Sequence, residues 1–224
     1  MKIFFVIFIL ISLVHFAAIV IKKENIRRIS KCLVIPLLLA VYISGGGGGF
    51  FLPIAALALG WIGDVLLLKI EKKIHFMLGL SSFLLGHIFY IIAFIGIIIS
   101  FGGRGLTGNI NIPAMLIFVP PTIALSFVVF ALIKPTKEMF FPVITYMVVL
   151  VAMSLTGFQV FLLTPGVSGL LILSGCFNFM VSDTILAYYT FRNLRLPGAV
   201  LIMVYYILAQ AEIIFGLMII KGFI

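Results

Sequence analysis

Two aspartates stand inside long apolar runs: Asp64 in "GWIGDVLLLK" and Asp183 in "NFMVSDTILAYY". A charged carboxylate near the middle of a membrane span costs ~2.5–3.5 kcal/mol on the insertion scale, so it is either compensated or used. Two carboxyls in different surroundings can divide acid–base work, one donating a proton while the other stays ionised. Few other polar groups lie inside the apolar runs. His87 and Tyr90 in "LLGHIFY" are three apart and share a helical face. Ser174, Asn178 and Ser182 recur every fourth residue as a stripe beside Asp183, with Asn178 the expected substrate contact. Tyr206 and Gln210 in "YYILAQAEII" share a face, with Tyr205 roughly over Glu212. Lys31 opens another apolar run and is placed to meet a phosphate.

Each has a plainer reading. Serines and asparagines along a membrane helix serve as hydrogen-bonding glue between helices, and tyrosines form interfacial belts. A structural Asp–Lys or Asp–Tyr pair would account for either aspartate alone. Other chemistries are poorly supplied. The three histidines, His15, His75 and His87, form no HxxxH or HExxH, and Cys32 and Cys176 do not pair by spacing. There is no G-x-S-x-G elbow. The expectation is no metal and no cofactor.

The elements that must hold these residues follow from composition. With 64% apolar and only 9% charged residues, the chain is a membrane protein. Its apolar runs are continuous, which excludes alternating barrel strands. The sequence predicts an all-α, polytopic helical bundle, a single domain over 1–224. Eight transmembrane helices are expected at 3–21, 31–44, 50–68, 76–99, 112–133, 140–160, 167–190 and 198–220. The first resembles a signal peptide but is too long, so a retained span is expected. "GGGGG" at 45–49 reads as a tight turn; a phosphate loop would need a following Lys-Ser/Thr.

Sorting the basic residues by loop gives orientation. Lys22, Lys23, Arg27, Arg28, Lys31, Lys69, Lys72, Lys73, Lys134, Lys137, Arg192 and Arg195 fall on one side. Only Lys2, Arg104 and Lys221 fall on the other. That asymmetry predicts cytoplasmic odd-numbered loops and both termini away from the cytoplasm. It also accounts for the net charge of +9 without nucleic acid. Asp64 and Asp183 then lie at similar depth, in the cytoplasmic half. "IGDVLLL" and "VSDTILA" form a short echo, and Asp64 precedes His87 by the 23 residues that separate Asp183 from Tyr206. So brief a match is what coincidence also gives.

"KCLVIPLLLAVYI", "LALGWIGDVLLL", "GLSSFLLGHIFYIIAF", "GCFNFMVSDTILAYY" and "VYYILAQAEI" occur in the order found in YhhN-like membrane proteins, the lysoplasmalogenase family, which the chain resembles from Lys31 to Glu212. The resemblance implies hydrolysis of the vinyl-ether bond of lysoplasmalogens to a fatty aldehyde and a glycerophospho-base. By motif position it makes Asp64, Asp183, His87, Tyr90, Lys31, Tyr206 and Gln210 the functional candidates. Vinyl ethers hydrolyse once the alkene carbon is protonated, which suits a carboxylic acid beside a carboxylate. Which aspartate is the acid stays open, with Asp183, the deeper of the two, the better candidate. A lysophospholipid in the bilayer is the expected partner. The expected location is the plasma membrane in a bacterium and the endoplasmic reticulum or another endomembrane in a eukaryote. The rival reading is a proton-coupled transporter or lipid-binding protein using the same aspartates.

Overall fold

A membrane interior offers backbone groups no water, so each apolar run satisfies its N–H and C=O groups by coiling into a helix. The structure is a computed structural model describing residues 1–70, 72–101, 105–192 and 198–224. Among them are eight long helices: α1 (Lys2–Val20), α2 (Glu24–Ser44), α3 (Phe51–Leu66), α4 (Lys73–Ser100), α6 (Ile112–Ile133), α7 (Phe140–Leu163), α8 (Val167–Arg192) and α9 (Gly198–Ile220). A short α5 (Gly105–Gly108) precedes α6. No strand occurs among the described residues. Arg104 and Arg195, two of the loop charges that set the orientation, lie outside the described residues.

Every expected span corresponds to one long helix, and the bounds of α6 and α9 coincide with expectation. His75, expected in a loop, lies in the first turn of α4. α2 stands apart from the other seven. Seven helical segments are long and apolar enough to cross a membrane, and α2 is not among them. It starts at Glu24 rather than 31, and Glu24, Arg27, Arg28 and Lys31 occupy its first turns. The rest of the helix, 32–44, is a stretch of ~20 Å at ~1.5 Å per residue, short of the ~30 Å hydrocarbon core. The charged start is itself a good helix initiator. Glu24 accepts from Arg27 Nε at 2.8 Å and Arg28 Nε at 2.9 Å, the spacings at which helical ion pairs form. Hydrogen bonding to Arg27 is the main force holding the Glu24 carboxyl down to about 2, against the opposing effect of burial. The seven candidates make the chain an integral, multi-pass membrane protein.

The chain divides into two units: Met1–Tyr90 with Leu217–Ile224, and Ile91–Gly216. In the first, α1 joins α2 through His15 Nδ1 and Ser30 Oγ, 2.9 Å apart. The glycine run makes the expected tight turn. Gly46 takes φ +107°, and Gly47–Gly49 form one turn of 3₁₀ helix. The Tyr42 ring occupies the space where a side chain at Gly47 would go, and its hydroxyl donates to Phe50 O at 3.1 Å.

In the second unit α7 and α8 form an antiparallel hairpin. Gly157 packs against Cys176, Ser154 Oγ lies 3.0 Å from Met180 Sδ, and Tyr146 meets Asp183. α6 starts on an N-cap, Asn111 Oδ1 accepting from Ala114 N at 3.1 Å, with Pro113 following. Its outward residues, such as Ile117 (77% exposed) and Phe127 (73%), are those a lipid-facing helix presents.

Candidate functional site

In the first unit the polar residues gather where α2 meets α3. Pro36 lies inside α2 and has no N–H, so the carbonyl of Cys32, four residues earlier, loses its helical donor. The Trp61 indole supplies one, Nε1 donating to Cys32 O at 2.9 Å. This bond ties α3 to α2 one residue from Lys31 and three from Asp64. Asp64, only 2% exposed, receives Lys31 Nζ at 3.4 Å from Oδ1. Lys31, the expected phosphate contact, pairs with this aspartate. The pair also identifies what compensates a carboxylate in this helix. Gly63 leaves room beside Asp64 for the Phe83 ring of α4, which a side chain there would meet at 2.7 to 2.9 Å. Ser82 Oγ of α4 donates to Leu59 O of α3 at 2.7 Å. His87 and Tyr90 follow on α4, both buried.

In the second unit the Tyr146 hydroxyl, on α7, donates to Asp183 Oδ2 on α8 at 2.6 Å. Tyr206 lies on α9. Its ring meets Phe179 edge to face at 5.8 Å, and its hydroxyl lies 3.5 Å from Gln210 Nε2. Tyr146, Tyr206 and Gln210 are all buried, while Asp183 is half-buried. Asn178 Nδ2 donates to Glu212 Oε2 at 2.8 Å, so α8 supplies the partner of Glu212 that was sought in Tyr205. Ser182 Oγ donates to Ile202 O at 3.0 Å, whereas Ser174 bonds within its own helix to Leu171 O. The stripe is thus partly glue between α8 and α9.

The structure therefore brings together Lys31 with Asp64, and Tyr206 with Gln210. Asp64 belongs to the first unit and Asp183 to the second. Asp64 pairs with a cation, and Asp183 accepts from a phenol. Among the described residues, no three of His, Cys, Asp and Glu are placed to share a metal ion.

The sequence model of the YhhN family matches residues 26–217. This chain belongs to the YhhN family. Comparisons with curated proteins and with solved structures give no match. The family is lysoplasmalogenase-like, and its span in this YhhN protein takes in every residue of both polar clusters. Tyr146, the Trp61–Cys32 bond and the Asn178–Glu212 bond are site features that the sequence alone does not single out. A tyrosine in "VITYMVVLV" looks like a belt residue. Its signal is that a phenol six residues inside a helix needs a hydrogen-bond partner.

Proposed function

We propose that this YhhN protein is a membrane-embedded ether hydrolase that cleaves the vinyl-ether bond of lysoplasmalogens, with Asp183 as the acid. The observation that carries this reading is a half-buried intramembrane carboxyl with one oxygen held by Tyr146 at 2.6 Å. Family membership over 26–217 supports the substrate class.

The chemistry balances as a hydrolysis. Asp183 Oδ1–H gives its proton to the alkene carbon remote from oxygen, and the π pair forms the new C–H bond. The positive charge left on the adjacent carbon is shared with the ether oxygen. Water adds to that carbon and returns a proton to the carboxylate. The resulting hemiacetal collapses, its hydroxyl proton passing to the departing glycerol oxygen, to give a fatty aldehyde and a glycerophospho-base. Asp64, held as an ion pair with Lys31, is assigned as the second catalytic carboxylate. Lys31, His87, Tyr90, Asn178, Tyr206 and Gln210 are assigned to substrate binding. The host membrane is the bacterial plasma membrane or a eukaryotic endomembrane.

The test is aldehyde release by the purified protein in detergent. A panel should pair lysoplasmalogens with their acyl and alkyl counterparts, which lack the vinyl ether. Turnover confined to the vinyl ethers is expected. Equal hydrolysis of acyl lysophospholipids, or none of any, would exclude this function.

A further inference from the structure

We infer that Tyr146 is a positioning residue for the acid, holding Asp183 Oδ2 so that the bond between them tightens as the proton leaves Oδ1. This deepens the proposed function and rests on it. Three observations point the same way. The first is distance: the Tyr146 hydroxyl donates to Asp183 Oδ2 at 2.6 Å, a fully formed O–H···O bond.

The second is rigidity. Tyr146 is 6% exposed and sits in the α7–α8 hairpin, where Gly157 closes on Cys176 and Ser154 on Met180. The two helices therefore fix the phenol against the carboxyl. A carboxyl free to rotate would present its proton in many directions; the bond from Tyr146 restricts that rotation.

The third is continuity. Tyr206 of α9 packs edge to face on Phe179 of α8 at 5.8 Å and lies 3.5 Å from Gln210 Nε2, so α9 braces the helix that carries the acid. Tyr146 thus acts through Asp183. When Asp183 protonates the alkene, negative charge appears on the carboxylate and is shared by Oδ2. A hydrogen bond to a charged acceptor is about twice as strong as one between neutral groups. An interaction that strengthens only as the proton leaves lowers the barrier without tightening ground-state binding, so it raises kcat and leaves KM in place.

The experiment uses the full-length protein in detergent, assayed for aldehyde release from a 1-alkenyl lysophospholipid. Tyr146→Phe keeps the ring and removes the donor. The expected result is a kcat lower by about 10- to 100-fold, as for loss of one bond to a charged group, with KM within about twofold. In an Asp183→Asn background the same change should have no further effect, because the group it serves is gone. An unchanged kcat, a loss that falls on KM, or additive losses in the double variant would overturn the inference. Should Tyr146→Phe fail to accumulate as folded protein, fluorinated tyrosines at 146 preserve both ring and hydroxyl. A kcat that tracks phenol acidity then supports the role, and a flat series contradicts it. If the unaltered protein releases no aldehyde, the functional reading itself has failed and this inference falls with it. Aldehyde release by the unaltered protein together with a normal Tyr146→Phe variant removes only the inference.

Discussion

A carboxylate and an ammonium near the edge of a membrane span explain each other better than either explains itself. Lys31 Nζ lies 3.4 Å from Asp64 Oδ1, and the aspartate is 2% exposed. Removing one partner of a buried pair leaves a charge without its counterion, whereas removing both is often nearly neutral. Lys31→Met should therefore destabilise the protein by about 3 kcal/mol, the low end for breaking a buried pair, because the lysine side chain keeps 12% exposure. Thermal unfolding in detergent checks this. The midpoint should fall in Lys31→Met and recover substantially when Asp64→Asn is added; a Lys31→Met protein as stable as the original contradicts the pairing. At this scale the sequence shows that Asp64 needs compensation and names Lys31 and Asp64 separately. It cannot show that they meet, because the contact joins α2 to α3 and neither segment alone records how the two helices pack. Tyr146 was hidden for the same reason: its partner is 37 residues away on another helix.

Helix positions were largely legible, since hydropathy sets where an apolar run must coil. α6 was bounded correctly because Asn111 and Pro113 mark its start and Lys134, in a left-handed conformation at φ 48°, marks its end. α2 was not. Its charged first turns belong to the helix by propensity and ion pairing, though not to the lipid by hydropathy, and a reading based on apolar runs loses them. The seams between helices were legible only as small residues. A side chain at Gly175 of α8 would meet Ile213 Cγ1 at 2.7 Å and Ala209 O of α9 at 3.0 Å. Gly175→Leu should force α8 from α9, break the Asn178–Glu212 and Ser182–Ile202 contacts, and cost about 1–3 kcal/mol as overpacking does. Gly96→Ala is the control, since a Cβ there meets nothing within 4 Å. A lower unfolding midpoint and lost activity in Gly175→Leu alone are expected; parity between the two variants would refute the close seam.

For the molecule as a whole, the charge asymmetry of the loops carries the topology. Twelve basic residues against three predict both termini on the non-cytoplasmic side, which requires an even number of crossings. The seven helices that meet the length and hydropathy requirement leave α2 to decide that parity. Reporter fusions at each end, or labelling of single cysteines introduced there, should place both termini outside. Termini on opposite faces would mean that α2 does not cross. The family was the most legible feature at this scale, because five motifs in order identify it while composition alone yields only a membrane helix bundle. The central claim is that Asp183 supplies the proton that breaks the vinyl ether. Its most direct test is the kcat for aldehyde release by Asp183→Asn, which keeps the shape of the side chain and removes the acid. A fall on the order of 100-fold or more, with the protein still folded in detergent, is predicted; turnover within a few-fold of the unaltered protein would contradict it.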